Sequence, residues 1–175
     1  MKRIAKFHKV SRERFLEDWK DTFGTDGTAE YEAIRLPQRA TRGSAGYDFY
    51  TPCPVRLMPG ETVKVPTGIR AEMEEGWVLL IYPRSGLGFK YRLQMDNTVG
   101  VIDSDYFYSD NEGHIFIKIT NDSRSGKVLE LESGVGFAQG IFMEFGVTVD
   151  DEAQGIRNGG LGSTTEKQAQ EGAAE

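Results

Sequence analysis

Four short segments carry the residue types that polyphosphate chemistry requires. Asn97-Thr98-Val99-Gly100-Val101-Ile102-Asp103-Ser104-Asp105-Tyr106 sets a carboxylate, Asp103, between an apolar pair and a tyrosine. With Val101 and Ile102 anchored inward, Asp103 is expected to be held in one place. A fixed carboxylate beside Tyr106 and Asn97 could act as general base, with ribose platform and base reader alongside. The same residues also suit a hairpin with an Asx turn. Pro83-Arg84-Ser85-Gly86-Leu87-Gly88-Phe89-Lys90 follows an apolar run. A strand opening into Ser-Gly-x-Gly exposes successive N–H groups, the Ser85 hydroxyl and the Arg84 guanidinium, the donors a polyphosphate needs. It lacks the Gly-Lys-Ser/Thr ending of a Walker loop, so either another kind of phosphate loop or a plain turn fits. Gly43-Ser44-Ala45-Gly46-Tyr47-Asp48-Phe49 puts Asp48 at a strand start, after small residues that permit close backbone approach. By itself it could be any turn. Arg157-Asn158-Gly159-Gly160-Leu161-Gly162-Ser163-Thr164 combines a guanidinium, glycines and two hydroxyls, as a phosphate wrap or a linker would.

The elements that must position these residues are mostly short strands. Residues 63–65 alternate, residues 77–82 form a buried-strand run, and Ile115, Ile117 and Ile119 share one face over residues 114–120. Residues 128–132, 141–145 and 147–149 complete the set. Many short strands without intervening helices predict an all-β sandwich or jelly-roll barrel. One short amphipathic helix precedes them. Ser11 can cap residues 12–23, Phe15, Leu16, Trp19 and Phe23 fall on one face, and Gly24 ends it. That stripe reads as a face docked on the domain. Residues 24–28 read as a loop, and a short strand is expected around Phe7 and Val10. After Asp150 the chain turns polar and glycine-rich, predicting a β domain over residues 1–155 and a flexible arm over 156–175.

Composition narrows the chemistry. The 175 residues carry a net charge of −6, with 38% hydrophobic residues and no long basic cluster, so nucleic-acid binding is not expected. The run over residues 77–82 is too short to span a bilayer, so no membrane partner is expected. Nor does the basic N-terminus lead into an apolar stretch, so no secretory signal is expected. One cysteine, Cys53 between two prolines, and two histidines cannot build a zinc site. The lone thiol suits a reducing cytoplasm and a structural place rather than catalysis.

Taken in order, Ala-Gly-Tyr-Asp, Pro-Arg-Ser-Gly, Gly-Val-Ile-Asp-x-x-Tyr, Ala-Gln-Gly-Ile and Gly-Gly-Leu-Gly-Ser-Thr resemble the ordered motifs of the trimeric dUTP diphosphatases, from about Leu36 to Thr164. The resemblance implies hydrolysis of dUTP to dUMP and pyrophosphate, which keeps uracil out of DNA and supplies dUMP for thymidylate synthesis. It implies that Asp103 orients the attacking water, supported by Asp48. It implies phosphate contacts from Arg84, Ser85, Gly86 and Gln139, with Arg157, Ser163 and Thr164 closing over the γ-phosphate. Uracil would be read along Asn97, Gly100, Val101 and Ile102 and covered by Leu161, while Tyr106 lies under the deoxyribose. Mg²⁺ would be held by the triphosphate and waters, with Asp48 facing its water shell and no direct protein ligand. A homotrimer with active sites shared between subunits is implied as well.

The chain departs from the family pattern in several places. Val135, Gly136 and Phe137 stand where an acidic residue and an arginine are common. Leu161 replaces the usual aromatic, and Arg157 stands one residue nearer to it than usual. Residues 107–113 enlarge a short turn after Tyr106, and the helix over residues 12–23 is additional. Two other readings share the fold: a zinc-free dCTP deaminase, which needs a glutamate base, and an idle binding or regulatory module.

Overall fold

The alternation at Ile115, Ile117 and Ile119 places all three side chains out of solvent in a computed structural model that describes residues 2–157. In chain order the elements begin with β1 (Ala5–Lys9), α1 (Arg12–Phe23), α2 (Thr28–Ala33), β2 (Gln38–Arg39), β3 (Tyr47–Tyr50), β4 (Val55–Leu57), β5 (Thr62–Pro66) and β6 (Ile69–Met73). They continue through β7 (Trp77–Pro83), α3 (Ser85–Tyr91), β8 (Leu93–Met95), β9 (Gly100–Ile102), a 3₁₀ turn (Ser104–Tyr108), β10 (Phe116–Asn121), β11 (Leu129–Leu131) and β12 (Gly136–Glu144). Among the described residues, no helix is long and apolar enough to cross a membrane.

The architecture is β-rich, as expected, but the strands do not close into a barrel. They form open sheets, the largest ordered β2-β3-β12-β7-β9. Its end strands, β2 and β9, have two and three residues and are held apart by the strands between them. A second sheet, β5-β10-β8, sets Val65 against Ile117 and Val63 against Ile119. Its inward residues join Phe49, Leu79, Ile81 and Phe137 in one core. Alternation decides which residues enter it, because successive strand side chains point to opposite faces.

α1 keeps the bounds its pattern suggests. The Ser11 hydroxyl accepts the Arg14 N–H at 3.1 Å, and Gly24 ends the helix in the left-handed region at φ 71°. Its apolar face docks: Phe15 and Trp19 are buried with Val10, stacked at 5.3 Å between ring centroids. Burial of each is worth on the order of 2 kcal/mol. Gly68 makes this docking possible. Its φ is +70°, and a Cβ there would lie 2.2 Å from Ile34 Cδ1 and 3.1 Å from Phe15 Cδ2.

Three local expectations need correction. Residues 24–28 are not all loop, since Gly27 caps the helix α2 that starts at Thr28. Residues 83–90 enter a helix, α3, rather than an open loop. Residues 147–149 form no strand: Val147 and Val149 are exposed, and among the described residues no strand pairs with them.

Candidate active site

β7 runs outward from the core and ends at Pro83, where Arg84 takes an extended conformation and caps α3. The N–H groups of Leu87 and Gly88 turn back to Arg84 O at 3.0 Å. Those of Ser85 and Gly86, the first of the helix, have no intrahelical acceptor. Both residues are exposed. The donors foreseen for a loop are therefore presented by a helix start.

Arg84 links two of the motifs and the segment just before a third. Its Nε lies 3.3 Å from Asp48 Oδ1 and its Nη1 3.4 Å from Gly136 O. A Cβ on Gly136 would approach Arg84 Nη1 to 2.9 Å, a contact that a small shift of this flexible side chain relieves. Gln139 pairs with Asp48 across β12 and β3, and its Nε2 donates to Pro83 O at 3.3 Å. Gly46 lies close to the same side chain: a Cβ there would come within 2.6 Å of Gln139 Oε1. Asp48, Arg84, Ser85, Gly86 and Gln139 thus converge at one end of the β3-β12-β7 ladder.

The second group lies on the segment after β8. Residues 95–100 make a tight turn: Thr98 N–H donates to Met95 O at 2.9 Å, and Thr98 has φ 67°. The turn is not a simple hairpin, since β8 pairs with β10 while β9 pairs with β7. Asn97 is exposed on it. Val101 does not anchor inward. Gly100 is buried, Val101 is 57% exposed and Ile102 packs against the core, as strand alternation requires.

Asp103 ends β9 and caps the 3₁₀ turn, with Tyr106 N–H donating to its carbonyl at 3.2 Å. Its carboxylate is half-exposed and paired with Arg157 Nη2, while Arg157 Nε reaches Asp105 Oδ1 at 2.8 Å. Asp105 is a residue that motif reading left without a role. The available signal was its position two residues beyond Asp103 at the start of one 3₁₀ turn, with an arginine in the tail. Tyr106 is buried, and its hydroxyl donates to His114 O at 2.8 Å. Burial pushes its phenol above the ordinary 10.0, so the proton that makes this bond stays in place.

The chain does not bring the two groups together. Asp48 on β3 and Asp103 beyond β9 are separated by three strand spacings, on the order of 14 Å before any offset along the strands. Leu161, Ser163 and Thr164 lie outside the described residues. Cys53 is half-buried, and burial pushes its thiol up, which suits a packed residue rather than a nucleophile.

Comparison with known proteins bears directly on these residues. The dUTPase family model matches residues 32–165. A deoxyuridine 5'-triphosphate nucleotidohydrolase of Lactococcus lactis is 44% identical over 134 residues, spanning 75% of this chain and 88% of the relative. One from Burkholderia lata is 40% identical over 136 residues, spanning 74% and 88%. Among solved structures, a dUTPase from Streptococcus mutans superposes with a TM-score of 0.61 at 35% identity, covering 83% of this chain and 98% of that one. A dUTPase from phage phi11 of S. aureus, described with a structural Mg(II) ion, shares the fold at 18% identity, with a TM-score of 0.61 over 88% of this chain and 99% of that chain. The matched segment runs through every motif described above and leaves α1 outside it, and on this evidence of sequence the chain belongs to the dUTPase family.

Proposed function

We propose that the chain hydrolyses dUTP to dUMP and pyrophosphate, with Asp103 as the general base. The observation that carries this reading is the fixed place of Asp103, capping a 3₁₀ turn at the end of a core-anchored strand inside the segment matched to the family. Water held by the Asp103 carboxylate gives up a proton to it as its oxygen attacks the α-phosphorus. The bond from that phosphorus to the bridging oxygen breaks, and pyrophosphate leaves.

The phosphates are taken by Arg84, by the free N–H groups and hydroxyl at Ser85 and Gly86, and by Gln139. A helix start and a guanidinium are both suited to that charge. Uracil is read at Asn97, Gly100, Val101 and Ile102, where backbone groups of a tight turn reject a C5 methyl by collision. Tyr106 lies under the deoxyribose and leaves no room for a 2′-hydroxyl. Arg157 exchanges Asp103 and Asp105 for the γ-phosphate as residues 156–175, a separate arm on the β domain of residues 1–155, close with Leu161, Ser163 and Thr164. That exchange frees Asp103 to accept its proton.

The separation of Asp48 from Asp103 within one chain supports a homotrimer in which each site draws its phosphate-binding and base-binding groups from different subunits. Mg²⁺ fits this arrangement as an ion carried in by the nucleotide. Asp48, paired with Arg84 beside the proposed phosphate donors, would accept from a metal-bound water. When bound, the ion neutralises phosphate charge.

Hydrolysis in H₂¹⁸O tests the chemistry. The label should enter dUMP and leave pyrophosphate unlabelled; labelled pyrophosphate would place the attack at the β-phosphorus and contradict the role of Asp103.

A further inference from the structure

Two features outside the usual family pattern, α1 and the enlarged turn over residues 107–113, are bonded to one another. Glu112 takes both the N–H of Ser11, at 2.7 Å, and its hydroxyl, at 2.6 Å, from 101 residues away, so the turn fastens the cap of α1. Further along the helix, Asp18 lies 2.5 Å from His114 Nδ1. Gly68 N–H points at His114 Nε2 at 2.8 Å, which makes Nε2 an acceptor and leaves the ring proton on Nδ1, facing Asp18. The imidazole is therefore neutral, and His114 is fully buried. Arg70 secures the other side of the turn, stacked 3.7 Å from the Phe107 ring centroid and donating to Phe107 O at 2.5 Å.

This clasp closes on Tyr106. The His114 carbonyl can only accept, so the Tyr106 hydroxyl spends its one proton there, at 2.8 Å. Any second partner must donate to it. Asn111 Nδ2 does so at 2.8 Å. The amide cannot be turned around, because Gly113 N–H donates to Asn111 Oδ1 at 3.1 Å and a flipped amide would set donor against donor. Ser109 Oγ lies 2.6 Å from Tyr106 O and 2.8 Å from Asn111 Oδ1, with one proton to share between these two acceptors.

We propose that Asn111 is a positioning residue that fixes the Tyr106 ring, and through it the discrimination between deoxyribose and ribose triphosphates. The proposal rests on the reading of Tyr106 as the platform under the sugar. A packed ring can exclude an added hydroxyl only while it cannot yield. Asn111, with His114 behind the phenol and α1 behind His114, removes the freedom to yield.

The isosteric change Asn111→Asp tests it, since the carboxylate still accepts from the Gly113 N–H but can no longer donate to Tyr106. The ratio of kcat/KM for dUTP to that for UTP should fall by about tenfold or more. KM for dUTP should rise while kcat stays within about twofold, a split that general loosening of the fold would not produce. Tyr106→Phe deletes the same bond from the other side, and adding Asn111→Asp to it should cost nothing further. A ratio within about twofold of the parent in a folded Asn111→Asp chain would overturn the proposal. If that variant fails to fold, an unchanged ratio in Tyr106→Phe would overturn it instead. A parent chain that releases no pyrophosphate from dUTP is a separate result, which would sink the reading of Tyr106 and this proposal with it.

Discussion

Replacing Asp103 with asparagine is expected to lower dUTP turnover by roughly 10² or more while dUTP still binds. The substitution preserves shape and removes the atom proposed to take the proton from water. It leaves β9 and the 3₁₀ turn intact, because the bond that shapes the turn runs from Tyr106 N–H to the backbone carbonyl of residue 103, not to its side chain. Asp105 remains to hold Arg157, so the surroundings of the site are kept as well. Steady-state pyrophosphate release, set beside calorimetric titration of the variant with dUTP, separates the two effects. Near-normal turnover would remove Asp103 from the chemistry.

Deleting the residues after Ile156 is expected to abolish most activity, by about a hundredfold or more, without unfolding the protein. The deletion removes Arg157 and the glycine-rich segment with Ser163 and Thr164, the groups assigned to the γ-phosphate. It takes nothing from the core, whose buried residues end at Ala138. Sedimentation and thermal melting should show the same assembly and nearly the same midpoint for full-length and truncated chains. If the truncated chain keeps full activity, the arm is a linker.

Much of the fold was legible because its signals are local. Ser11, the apolar stripe and Gly24 mark α1 at both ends, and the isoleucines of residues 115–119 mark the face of a core strand. Other parts depended on what lies across space. Residues 147–149 alternate like a strand, but alternation reports a face and not a partner. Gly86 and Gly88 read as loop residues, yet a seven-residue helix forms there, with Leu87 and Tyr91 packed on the core. Val101 and Ile102 cannot both point inward in a strand, a limit that composition alone hides.

The site was legible as a set of motifs but not as a geometry. The link from Arg84 to Asp48 and the close approaches at Gly46 and Gly136 arise within one sheet from segments far apart in sequence. The same holds for His114, which had no place in the motif reading and joins α1 to the hydroxyl of Tyr106 through its ring and its carbonyl.

Every role proposed for these residues depends on the chain selecting dUTP and cleaving it between the α- and β-phosphorus. The most direct test is release of pyrophosphate and of ammonia from dUTP, dCTP, dTTP and UTP, compared side by side at equal concentration with Mg²⁺. Rapid pyrophosphate release from dUTP is expected, with far slower release from the other three and no ammonia from any of them. Ammonia from dCTP, or pyrophosphate released equally from all four, would contradict it.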